Sequence, residues 1–149
     1  MTLEQFLIDW SLGERLQIVG GSPLYKELPA RAISINGRRP GAPVAAINNS
    51  GRDWRRVTDW QHVIVPSPLK IYPPRVIVPS YLVPPPDSMP DKQPTTCFSL
   101  LLICEALKLP VDLWGVCGWA SKWHDGDWEM HYIKTMMQGV TVHDPRPQW

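Results

Sequence analysis

The chain is short of cysteine, short of net charge and lacks any long apolar run. Its three cysteines, Cys97, Cys104 and Cys117, are an odd number without CxxC spacing. That pattern lacks metal-like spacing and fits free thiols in a reducing compartment better than a disulfide framework. Fifteen Lys and Arg against fourteen Asp and Glu leave a formal charge of +1. No electrostatic case for nucleic acid or an anionic membrane surface can be made from that balance. No apolar run approaches the ~20 residues that a bilayer-spanning helix needs. The opening stretch MTLEQFLIDWSLGERL has acidic residues where a secretion signal is basic. The expectation is therefore a cytoplasmic protein, with no membrane span and no nucleic acid among its partners.

What remains is a chain of 149 residues with 44% hydrophobic and 19% charged content. That is enough for one domain with its own core, covering 1–149. Eight Trp and seventeen Pro are high for this length. Proline at this level signals long irregular loops. Tryptophan beyond the needs of the core often lines carbohydrate or nucleotide sites, although most Trp simply anchor cores and loops. A Trp-rich surface on a small sheet also makes homo-oligomerisation an expected way of covering it.

Leu3, Phe6, Leu7 and Trp10 have helical spacing, and Gly13 is a natural stop. The run Leu16–Val19 reads as a strand before Gly20-Gly21-Ser22-Pro23, with a short helix expected through Leu28. A glycine pair lets a backbone approach a ligand, and a helix start offers free N–H groups to an anion, but a plain turn fits GGSP equally well. Ala32–Asn36, Val44–Asn48, His62–Val65 and Arg75–Val78 read as further short strands, with a short helix at 53–60. Their continuous apolar character suits a sheet covered on both faces.

The proline-dense stretch 66–94 reads as a long loop crossing the mouth of the site or mediating contacts. Phe98–Leu109 is a helix capped by Thr95 or Thr96, and Val111–Trp114 a central strand ending at Gly115. Trp128–Gln138 is a helix stopped by Gly139, and Val140–Val142 the last strand. Strands alternating with helices predict an α/β fold: a single Rossmann-like, mostly parallel sheet flanked by helices. Ligands bind such sheets beyond the carboxyl ends of the strands. Gly20–Ser22, Asn36, Asn48, Gly115 and His143 fall on that rim.

Two histidines, His131 in the last helix and His143 after the last strand, are the candidate catalytic groups. Imidazole takes a proton from a hydroxyl near neutral pH, and as a cation it supports a leaving phosphate. His62 and His124 lack comparable context and read as structural. A zinc site from His124, His131, His143 and Asp125 or Asp144 matches no standard spacing, so no metal ligand is assigned.

Several segments carry a resemblance. Pro94-Thr95-Thr96-Cys97 opens the apolar helix FSLLLICEAL, Trp114-Gly115-Val116 ends a strand, His131-Tyr132 begins a third motif, and Gly139-Val140-Thr141-Val142-His143-Asp144 a fourth. In this order they resemble the S, III and VS sialylmotifs of glycosyltransferase family 29, the sialyltransferases. Ile18-Val19-Gly20-Gly21-Ser22 and the strand ending at Asn36 resemble its L motif more faintly. The likeness covers roughly residues 16–36 and 94–148. Cys97 stands where the family has glycine, Gly21 where it has a nucleotide-contacting Asn, and Gln148 where it has Glu. The cysteines that bridge motifs L and S in luminal members would fall at Leu16 and Lys108.

The resemblance implies a GT-A-variant fold and an inverting, metal-independent transfer of a sugar from a cytidine-monophosphate donor to a hydroxyl. The partners implied are a nucleotide-sugar donor and a glycan or other hydroxyl acceptor, with no further cofactor. It makes His143 the base and His131 the donor to the departing phosphate. Gly20, Gly21, Ser22 and Asn36 would hold phosphate and ribose; Thr95, Thr96 and Gly115 would line the cytidine and sugar site. The alternatives are a non-catalytic nucleotide- or sugar-binding module on the same fold, and a transferase with another donor serving a phage or bacterial surface glycan.

Overall fold

The structure is a computed structural model that describes residues 1–48, 60–116 and 121–143. In chain order the elements are α1 (Leu3–Ser11), β1 (Leu16–Val19), β2 (Ile33–Ile35), β3 (Val44–Ala46), β4 (His62–Ile64), β5 (Val76–Ile77), α2 (Thr96–Ala106), β6 (Val111–Trp114), α3 (Gly126–Met136) and β7 (Val140–His143). The seven strands form one sheet of order β5-β4-β3-β2-β1-β6-β7, and every neighbouring pair is parallel. The expected α/β, Rossmann-like sheet is present, wholly parallel rather than mostly so. The helix expected at 53–60, Cys117, Asp144 and Gln148 lie outside the described residues, apart from Trp60 at the end of that stretch.

Direction reversal explains the layering. From β1 to β5 the chain steps one way across the sheet; it then returns past β1 to β6 and β7. Parallel connections are right-handed, so reversing direction moves them to the opposite face. Accordingly α1, α2 and α3 share one face, where Leu16, Ile18, Ile33, Ile35, Val111 and Leu113 meet Phe98, Leu101 and Ile133. Flanking by helices is thus one-sided among the described residues. The other face is covered where it is apolar by loop side chains: Leu28, Trp60 and Tyr72 pack against Val19, Ala45, Val63 and Val76.

The short helix expected through Leu28 does not form; 20–32 is a run of turns and bends. Proline at 23 and 29, and again at 40 and 43 in the next connection, removes amide donors and bars α geometry from the preceding residue.

Helix α2 is the buried centre of the helical layer. Cys97, Phe98 and Leu100–Cys104 are all buried, so it is apolar around most of its circumference. Burial leaves both thiols protonated, Cys104 being pushed up to about 12. Thr95 caps the helix by accepting from Phe98 N at 3.1 Å. Helix α3 begins earlier than expected, because Asp125 accepts from Trp128 N at 3.0 Å and caps it there.

The proline-dense stretch 66–94 holds β5 and is otherwise irregular. Beyond β5 it runs along the helical layer rather than over the mouth of the cleft described below. Leu3 N donates to Val78 O at 2.8 Å, Ser80 N and Oγ donate to Glu4, and Val83 and Met89 pack against the core.

Candidate functional site

The sheet changes direction between β1 and β6, so the carboxyl ends of these two strands flank the crevice where ligands bind in open α/β sheets. Gly20 follows β1 and Gly115 follows β6. Gly20 N donates to Trp114 O at 2.7 Å, and Ser22 N to Gly115 O at 3.3 Å. A Cβ on Gly20 would lie 2.6 Å from the Gly115 carbonyl oxygen. Gly115 has φ +62°, and a Cβ there would meet Ser22 Cβ at 2.9 Å. The glycines thus let the two strand ends cross at backbone contact.

Beside this crossing, on the loop-covered face, lies a cleft of about 310 Å³ lined by Val19, Gly20, Tyr25, Leu28, Arg39 and Trp114, with exposed Glu27 at its edge. Ligand clefts range over roughly 300–1,000 Å³. This one lies at the lower end of that range and is too small to enclose a dinucleotide.

Arg39 is held in place from several sides. Its N–H donates to Ser34 Oγ at 2.9 Å, and its guanidinium donates to Ser22 O at 2.8 Å and to Tyr25 O. Arg38 is exposed and its stem passes over Gly21, where an added Cβ would meet Arg38 Cδ at 3.1 Å. Asn36 and Gly37, with φ 54° and 62°, make the left-handed bend that brings this pair back over the β1 end. Asn36 Oδ1 is buried and has no hydrogen-bond partner among the described residues.

His143 ends β7 opposite Trp114 in the β6 register. Its ring stacks on the indole at 3.9 Å between centroids and 8° between planes, and Tyr25 meets Trp114 edge-on. His143 Nε2 is 3.0 Å from Asp112 Oδ1. An ionised carboxylate only accepts, so Nε2 carries the hydrogen and the neutral ring keeps its lone pair on Nδ1. Asp112 also accepts from Arg15 Nε at 3.1 Å and Gln17 Nε2 at 2.8 Å, while Gln17 Oε1 accepts from Trp114 Nε1 at 2.9 Å. Burial alone would raise the Asp112 carboxyl, but these bonds and the Arg15 charge outweigh it and hold the group below its ordinary range.

The nine residues expected to form the site do not all meet. Gly20, Gly21, Ser22 and Gly115 converge, Asn36 ends the next strand, and His143 lies one strand beyond, separated from the cleft by the Trp114 ring. His131 is not among them. Helix α3 buries Gly126, Glu129, Met130 and Ile133 and leaves His131 exposed, on the helical side of the sheet. Val140 and Val142 face that side, so the alternation of β7 turns His143 to the other. The two imidazoles are on opposite faces.

Thr95 and Thr96 start α2, also on the helical face, and Thr95 is fully engaged. Its N–H and hydroxyl donate to Glu129 at 2.9 and 2.6 Å while its oxygen caps the helix. Thr95 is a cap and tie rather than a lining residue of the cleft.

Glu129 is 4% exposed. Its burial raises the carboxyl above its ordinary range despite the lowering hydrogen bonds from Thr95 and the nearby His124. The folded state therefore binds this proton more tightly than the unfolded chain. The stability it contributes is complete below the unfolded value and is lost as pH rises through the folded one. In urea unfolding from about pH 4 to about pH 8, Glu129→Gln is expected to flatten that decline. An unchanged slope assigns the pH dependence to another group.

Asp112, Gln17, Arg38 and Arg39 are the residues that sequence reasoning missed. The signal for Asp112 was parity: Asp112 and Trp114 alternate with buried Val111 and Leu113, placing the polar pair on the non-core face.

Among the described residues no group of three or more His, Cys, Asp and Glu is placed to hold a metal ion, and no helix is long and apolar enough to cross a membrane. Compared with known protein families, with curated proteins and with solved structures, the chain gives no match. What the site does has to be argued from its own residues.

Proposed function

We propose that the crevice between β1 and β6 binds a cytidine-monophosphate-linked sugar, and that the protein transfers the sugar to a hydroxyl of a glycan or other acceptor. The carrying observation is the contact of Gly20 with Gly115 at the sheet's switch point, beside a cleft of about 310 Å³ and one ring away from a carboxylate-held imidazole. Val19, Leu28, Tyr25 and Trp114 offer apolar and aromatic walls to a base or sugar ring.

In the proposed transfer His143 Nδ1 takes the acceptor's hydroxyl proton. The acceptor oxygen bonds the anomeric carbon from the side opposite the phosphate. The bond from that carbon to the phosphate oxygen breaks, and the electron pair leaves with the nucleotide. Asp112 stabilises the imidazolium formed. His131, on the other face, takes no part, so charge on the departing phosphate falls to another cation.

A second reading, nucleotide or sugar binding without turnover, is favoured by the His143 ring lying flat on Trp114, which places the indole between it and the cleft. Calorimetry with CMP, UMP and AMP, followed by assay of CMP release from a CMP-sugar, separates the two. Selective CMP binding with release is the expected result, and binding without release selects the second reading. Failure to bind any of the three nucleotides eliminates both.

A further inference from the structure

We infer that Arg38 and Arg39 form the phosphate subsite of the cleft, in the role that the resemblance gave to His131. The inference rests on the nucleotide reading for the ligand's identity, but its anion chemistry is argued from this chain alone. The connection between β2 and β3 spans only residues 36–43, and the left-handed pair Asn36-Gly37 turns it back over the β1 end.

Arg39 then lines the cleft with its guanidinium oriented by Ser22 O and Tyr25 O. Carbonyls fix the plane of a guanidinium without neutralising it, and further N–H donors remain. Among the described residues no carboxylate pairs with Arg38 or Arg39; the ion pairs there are Arg15 and His143 with Asp112.

Gly21 is exposed and lets the Arg38 stem pack over the β1 end, beside the turn whose carbonyls hold Arg39. A phosphate seated there would receive the planar, forked donors for which arginine is suited. At the neighbouring strand end the buried, unpartnered Asn36 Oδ1 lacks a donor of the kind a ribose hydroxyl provides. Nothing in this arrangement needs a helix N-terminus, and none follows β1.

The test compares cytidine, CMP and inorganic phosphate on the full chain by calorimetry, for the parent, Arg38→Gln and Arg39→Gln. CMP is expected to bind roughly 10–100-fold more tightly than cytidine. Either substitution should shrink that gap, and Arg38→Gln should do so with cytidine affinity unchanged. Arg39→Gln also removes ties to the 22–25 turn, so Arg38→Gln, at an exposed side chain with no hydrogen bond among the described residues, is the decisive variant.

Equal binding of cytidine and CMP by the parent, or a gap unchanged in Arg38→Gln, overturns the subsite while the nucleotide reading stands. Should neither cytidine nor CMP bind, the nucleotide reading falls and inorganic phosphate decides. Phosphate binding lost in Arg38→Gln supports an anion subsite for another phosphorylated ligand, and no phosphate binding overturns it.

Discussion

Replacing Gly20 with alanine is expected to destabilise the protein by about 3 kcal/mol, at the upper end of the ordinary range for overpacking. The new methyl would sit 2.6 Å from the Gly115 carbonyl oxygen and 2.9 Å from Val116 Cγ2. A flexible side chain can move aside, but the Gly115 carbonyl is backbone anchored directly after β6 and accepts from Ser22 N, so it cannot. Relief would require the β1 end to separate from β6, breaking the 2.7 Å bond from Gly20 N to Trp114 O. That bond is where the sheet reverses and where the cleft begins.

Neighbouring glycines supply the contrast. At Gly21 the obstacle is the movable Arg38 stem, and at Gly139 an added Cβ would meet nothing closer than 3.9 Å. Both alanine variants should stay within ~1 kcal/mol of the parent. Urea midpoints at constant slope measure all three. A Gly20→Ala midpoint indistinguishable from that of Gly21→Ala means the strand ends do not cross as described.

The contrast between Gly20 and Gly21 marks how far the sequence could be read. Two adjacent glycines announce a turn, but which one touches backbone depends on β6, more than 90 residues later in the chain. The strands themselves were legible because Val44–Ala46 and Val63–Val65 are unbroken apolar runs, and Ile33–Ile35 is interrupted only by the small Ser34, all of them buried from both sides. Thr95 was legible as a cap because a hydroxyl precedes a long apolar run. Its second bond, to Glu129 on α3, was not, since no local pattern links residues so far apart.

The His131–His143 pairing failed on parity. Histidine 131 lies off the stripe 126, 129, 130 and 133 that α3 buries, and in Val140-Thr141-Val142-His143 the valines take the helical side. Both patterns were present in the sequence, and together they separate the rings. Arg38 and Arg39 were hidden for a different reason. A charged pair after a strand normally points into solvent, and only the left-handed geometry at 36 and 37 folds it back over the glycine turn.

In the proposed transfer, His143→Ala is expected to lower kcat roughly 10²–10⁴-fold, the range for losing a positioned base, with CMP affinity little changed. The alanine also removes the ring stacked on Trp114, so His143→Phe is the sharper variant. Phenylalanine retains an aromatic surface for the 3.9 Å stack and has no nitrogen to accept a proton. Activity surviving in His143→Phe would make the ring a packing element and leave the binding reading in place.

Asp112→Asn tests the carboxylate behind that imidazole, and its stability effect has a definite sign. The parent carboxyl is held below its ordinary range, so its contribution is present above the unfolded value and is lost as pH falls through the folded one. The asparagine variant should therefore be less stable than the parent near neutrality and converge with it in acid. For catalysis an amide can present either its oxygen or its NH₂ to Nε2. The NH₂ orientation moves the ring hydrogen to Nδ1, where the lone pair is needed. A kcat reduced about 10²-fold with unchanged KM is expected for a positioning carboxylate that acts through His143. Loss of stability with kcat intact assigns Asp112 to the Arg15–Gln17–Trp114 lattice alone.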